Sequence, residues 1–197
     1  WDVSNVTNMQ NLFSKAKSFN GKIGSWDVSK VETSVGMFSD ATSFNQDIGD
    51  WDVRNFYLGG LFYNAESFNQ DIGNWNMSAV TNVGGMFFQA NAFNQPINTT
   101  SNVTMNGSTY TAWNVSKVEN MFHMFNNAIN FNQEIIDWNV SSVTTMGYMF
   151  YNAKKFNADI RNWAVSSTTD LTNMMVFNEA YRDNWFNKGH TGYETDQ

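Results

Sequence analysis

Seven tryptophans mark out this chain. Trp1, Trp26, Trp51, Trp75, Trp113, Trp138 and Trp163 follow one another at 25, 25, 24, 38, 25 and 25 residues. A repeat at a period of 20–50 residues constrains the fold more than any local propensity, because each copy must bury its apolar side against its neighbours. The copies share the template W-[DN]-V-S-x-V-x-x-M-x-x-M-F-x-x-A-x-x-F-N-Q-x-I. One column holds Phe13, Phe38, Phe62, Phe87, Phe125 and Phe150, and a second holds Phe19, Phe44, Phe68, Phe93, Phe131 and Phe156. With the Met and Ile columns these form the expected core.

Val6, Met9, Phe13 and Ala16 fall at helical spacing, whereas Trp1-Asp2-Val3 alternates as a short strand does. The pattern predicts an α/β repeat solenoid, similar to leucine-rich repeats. About seven coils, each a short strand plus a short helix, would form a parallel strand ladder. The chain of 197 residues reads as a single solenoid domain over 1–197. A polar insert at 98–110 is expected to be a loop on one face, and a degenerate terminal cap at 176–197 follows Met175, with Phe177 to Ala180 resembling the motif displaced by two. The chain opens on Trp1, inside a copy, which predicts a processed chain or part of a longer one.

The recurrent Met-Phe-x-x-Ala-x-x-Phe-Asn-Gln-x-Ile-x-x-Trp-[Asp/Asn]-Val-Ser-x-Val resembles the BspA-type surface-protein repeat of bacteria and some protists, also found in mycoplasma surface lipoproteins. That resemblance spans 1–180. It implies a leucine-rich-repeat-like solenoid and an extracellular, non-catalytic role at a cell surface, in adhesion or surface structure. The Ile-x-x-Trp-x-Val-x-x-Val portion is similar to the leucine-rich-repeat strand, with Trp and Val facing inward.

Charge narrows the function classes. Net charge is −7 with a pI near 4.6, which excludes the basic stripe of a nucleic-acid binder. No cysteine is present, so no thiolate metal site or disulfide framework arises. No apolar run approaches the length of about 18 residues needed for a membrane span.

Outward positions of stacked copies become ladders. After each Trp stand Asp2, Asp27, Asp52, Asn76, Asn114 and Asn139, the strand-face binding candidates. Strands at about 4.8 Å would give a column roughly 35 Å long. Stacked carboxylates at that spacing would repel by about 1 kcal/mol per adjacent pair. The face is either merely solvated or relieved by a cation, sugar hydroxyls or Arg54, although no loop has calcium-binding spacing. The asparagines after the second Phe (Asn20, Asn45, Asn69, Asn94, Asn132, Asn157) are expected to satisfy backbone groups.

Sequons occur at Asn5, Asn76, Asn98, Asn102, Asn106, Asn114 and Asn139, and the three in the insert lie outside the template. His123, in a column of mostly small or polar residues, is expected at the surface. No catalytic or metal constellation interrupts the repeat, so the expectation is a non-enzymatic protein with no cofactor. Two roles fit. One is a self-associating filament or matrix subunit, glycosylated where the sequons are used, joined head to tail through Trp1, Tyr181, Trp185 and Phe186. The other is an adhesin holding a surface protein or glycan on its strand face.

Overall fold

A computed structural model describes residues 1–178, 180 and 181 of the chain. Consecutive copies lie side by side, and their columns interlock as the repeat requires. The Phe13 column stacks ring on ring at 5.5–5.7 Å between centroids. The Phe19 column does so at 5.9–6.0 Å and is completed by Tyr181. Within each coil the two phenyl rings face one another at 3.8–4.0 Å. Trp51, Trp75, Trp113 and Trp138 are buried behind them, while Trp26 is half-buried and Trp1 is exposed.

Each buried indole is also tied to the neighbouring coil. Trp51 Nε1 donates to the Ile23 carbonyl, Trp75 to Ile48, Trp113 to Ile72, Trp138 to Ile97 and Trp163 to Ile135, at 2.8–3.3 Å. A buried indole N–H needs such a partner. The asparagine column does related work. Asn69 Oδ1 accepts from Asn94 N and Gln95 Nε2 at 2.9 and 3.1 Å, and Asn45 and Asn94 do likewise for their neighbours.

The α/β architecture is overturned. Among the described residues helical backbone is confined to Ala180 and Tyr181, and none falls in the segments expected to be helical. The strands are β1 (Thr100–Met105) and β2 (Ser108–Ala112), which pair antiparallel with each other. In place of a parallel strand ladder, coils meet at isolated parallel bridges such as Asn8 with Thr33 and Asn120 with Thr145.

The reason lies in the backbone. Two residues in each coil are left-handed: Asn11, Gly36, Gly60, Gly85, His123, Tyr148 and Asn173 at φ 51–62°, and Lys15, Asp40, Asn64, Gln89, Asn127, Asn152 and Phe177 at φ 53–63°. Each occupies the third position of a four-residue turn, where positive φ is demanded. Leu12 N closes one turn on Met9 O, and Ala16 N closes the next on Phe13 O. Turns recurring every four residues place Met9 and Phe13 on one side as a helix does, so apolar spacing alone could not tell them apart. The intervening N–H groups of Met9, Asn11, Phe13 and Lys15 donate instead to Thr33, Val35, Met37 and Ser39 of the next coil at 2.7–2.9 Å.

The expected strand at Trp-Asp-Val is also absent. Asp2 Oδ1 accepts the Ser4 N–H, and Val6 N returns to Val3 O, so the segment bends twice. The displaced motif in the last copy is corrected as well. Phe150 N donates to Met174 O, which sets Met175 opposite Phe150 in register and leaves Phe177 in the left-handed column. The rest of the expected cap lies outside the described residues.

The insert is a hairpin rather than a loop. Asn106 and Gly107 both take positive φ (51° and 76°), the two-residue turn that suits the twist of paired strands. A register shift between Thr100 and Val103 accompanies the left-handed Asn102. Behind the insert the stack continues: Trp113 N donates to Trp75 O at 3.0 Å, and Phe87 N to Met124 O at 2.9 Å.

Replacing Trp75 by Phe keeps a ring in the column but removes the inter-coil indole donor, leaving the Ile48 carbonyl with the Trp51 N–H alone. We expect a loss of about 1 kcal/mol in denaturant unfolding. Trp26→Phe, at an indole with no such bond among the described residues, should cost clearly less.

Candidate functional site

The ladder after each Trp does not form an open strand face. Its members are turn acceptors: Ser4, Ser29, Arg54, Ser78, Ser116 and Ser141 each donate their N–H to the Asp2, Asp27, Asp52, Asn76, Asn114 or Asn139 side chain two residues earlier. Hydrogen bonds from Ser4 and Ser29 hold the Asp2 and Asp27 carboxyls below their ordinary value. Asp52 is paired with Arg54 at 2.5 Å. The stacked carboxylates are thus each held by donors of their own coil, which outweigh the repulsion of Asp2 on Asp27. The hairpin also covers part of this face, since Tyr110 Oη donates to Asn74 O at 2.5 Å. Asp52, Arg54, Asn76 and Tyr110 enclose a space of only about 40 Å³ beneath it.

The sequons are scattered. Asn5, Asn102, Asn106 and Asn139 are exposed, the second and third on the hairpin. Asn76 is 7% exposed, and Asn98 Nδ2 is bonded to Asp137 Oδ2 at 2.8 Å. Asn114 is half-buried. Of the assembly candidates, Trp1 is exposed in the first coil and stacks on Trp26 at 6.4 Å, while Tyr181 is buried in the second aromatic column. Trp185 and Phe186 lie outside the described residues.

A different site stands out, on the outer side of the paired turns. Three outward columns hold small or polar residues in the first two coils, apart from Val35: Asn8 and Thr33, Gln10 and Val35, Ser14 and Ser39. In the middle coils these positions, with the first left-handed one, hold Tyr57, Tyr63, Phe88, Phe122, His123, Tyr148 and Tyr151. Their side chains form a band. Tyr63 stacks on Phe88 at 4.4 Å, Phe88 meets His123 at 5.7 Å, and His123 stacks on Tyr148 at 4.9 Å. Phe122 packs edge-on to His123 at 4.1 Å.

Beside the band lies an open groove of about 550 Å³. Its floor is Gly59, Gly60, Gly84 and Gly85, and its walls include Tyr57, Tyr63, Phe88 and Phe122. Glycine leaves room where side chains lie down on the floor. A Cβ on Gly59 would stand 3.0 Å from the Tyr57 ring, and one on Gly84 would stand 3.2 Å from Asn120 Oδ1. Tyr57, Tyr63 and Phe122 keep 44%, 39% and 40% exposure, a high value for large apolar groups. Contiguous exposed apolar surface of this kind marks an interaction site.

His123 is not the plain surface residue expected. It is half-buried among Phe88, Phe122 and Tyr148, and burial lowers its pKa from the ordinary 6.5. Its Nδ1 lies 2.7 Å from Asn126 Nδ2, so as a neutral ring it accepts that amide proton. None of this band was anticipated from the repeat, although departures from the template at these columns are the signal that reveals it. Among the described residues no group of three or more His, Cys, Asp or Glu side chains could hold a metal ion.

The family model described as "Mycoplasma protein of unknown function, DUF285" matches twice, over residues 1–100 and 98–196. The chain belongs to this family. The two matches meet within the insert, so each covers one run of copies. They support a repeat family and not the BspA type in particular. No curated protein and no solved structure matches this chain. No helix among the described residues is long and apolar enough to cross a membrane.

A histidine with a lowered pKa in the folded state binds its proton more weakly than in the unfolded chain. Its contribution is therefore complete above pH 6.5 and declines as pH falls through the lower folded value. Melting temperature should drop between pH 7 and 5 in the wild type. The part of that drop due to this residue should disappear in His123→Asn, which also suits the left-handed backbone.

Proposed function

We propose that this chain is a non-enzymatic recognition module of an extracellular, surface-type repeat protein, and that the aromatic groove holds its ligand. The observation that carries this is the departure of the middle coils from their own template. A repeat used only to stack has no need of Tyr57, Tyr63, Phe88 and Phe122 on an outer face, where they are partly exposed around glycines. Stacked coils supply a rigid frame, and a pre-formed apolar concavity with few polar groups is the usual shape of a binding site. Membership of the Mycoplasma repeat family is compatible with a surface role. The ladder after each tryptophan has no part in this reading, because its side chains are occupied by their own turns.

Fluorescently labelled chain should adhere to immobilised extracellular-matrix or cell-surface preparations. The triple variant Tyr57→Ala, Tyr63→Ala, Phe122→Ala should adhere about tenfold more weakly, as expected when central aromatic contacts are removed. Its melting temperature should stay near the wild-type value. Equal adhesion of the two proteins overturns the reading.

A filament of chains joined end to end is the second role for an extended column of coils, and it is checked by sedimentation of the same material. Growth of the sedimentation coefficient with concentration is the expected outcome for self-association. A single monomeric species up to high concentration removes it.

A further inference from the structure

We propose that the groove takes a neutral oligosaccharide, an assignment that rests on the recognition role above and narrows it. The first observation is charge. The chain carries −7, yet no carboxylate, lysine or arginine lines the groove. His123, at its edge, is kept towards its neutral form by burial. A charged ligand would meet no counter-charge here, and removing a charged group from water without one is costly.

The second observation is the pairing of flat apolar faces with neutral hydrogen-bonding groups. Tyr57 and Phe122 present exposed rings to the groove. A pyranose has an apolar C–H face that covers such a ring and a rim of hydroxyls that both donate and accept. Tyr57 Oη accepts from Asn82 Nδ2 at 2.7 Å, which leaves its own O–H to donate. Asn120 Oδ1 accepts from Phe122 N at 2.8 Å, and its Nδ2 has no partner among the described residues. Phenol and amide thus stand beside the aromatic walls as neutral donors.

The third observation weighs against a peptide held through its backbone. Such peptides add a strand to free backbone groups. Here the carbonyls of Gly59, Gly60, Gly84 and Gly85 already accept from Gly36, Tyr63, Gly60 and Phe88. The floor offers no free sheet edge, so recognition falls to the side chains around it.

The test is calorimetric titration of the whole chain with separate probes: cellohexaose, maltohexaose and chitohexaose as neutral glycans, a heparin hexasaccharide as an acidic one, and a proline-rich decapeptide. We expect at least one neutral hexasaccharide to bind. Phe122→Ala and Tyr57→Ala should each weaken that binding about tenfold. Asn120→Ala, which leaves the rings in place, provides a gentler second check and should also weaken it. Binding of only the heparin fragment or the peptide, lost in the same variants, would overturn the saccharide assignment while leaving the recognition role standing. No neutral binding at all, or neutral binding indifferent to all three variants, also overturns the assignment. Equal adhesion of the triple variant to surface preparations is what removes the recognition role itself.

Discussion

The structure depends on a left-handed residue at every fourth position of the turn segment. Each one ends a turn before it can become a helix, and its own N–H points out of the coil. Those N–H groups then find carbonyls on the following coil, as Asn11 does with Val35 and Lys15 with Ser39. Local turn and inter-coil bond are therefore two results of one backbone choice. Glycine and asparagine fill many of these positions because they accept positive φ at little cost. With the backbone committed this way, the phenyl columns fall into register and the indoles come within reach of the isoleucine carbonyls.

Much of the core was legible in the sequence. The Trp, Phe, Met and Ile columns predicted the buried side, and the asparagine after the second Phe predicted a hydrogen-bonding ladder, because identical residues at a fixed period must meet their own copies. Secondary structure was not legible in the same way. A spacing of four between Met9 and Phe13 suits a helix and a pair of successive turns equally, and only the backbone angle at Asn11 distinguishes them. The column Asn11, Gly36, Gly60, Gly85 carried that information, since glycine and asparagine are poor helix residues and good left-handed ones. The Asn106-Gly107 pair in the insert was a hairpin signal of the same kind.

The groove was hidden for another reason. A template draws attention to what recurs, and Tyr57, Tyr63, Phe88 and Phe122 are departures from it. They are adjacent only because stacking brings positions about 25 residues apart into contact. His123 shows the same effect: as a column member it looks like a solvent-exposed substitute for glycine, and only its neighbours Phe88 and Tyr148 turn it into a half-buried ring. The repeated positions build the frame, and the exceptions give one face its chemistry.

The hairpin has a consequence for how such chains vary. It leaves the column at one corner and returns with Trp113 in place, and the phenyl rings on either side, Phe87 and Phe125, remain 5.5 Å apart, as close as any pair in that column. The corner after Ile97 is therefore a natural splice point. Segments of different length and content could be exchanged there without disturbing the stack, giving a rigid rod an interchangeable appendage.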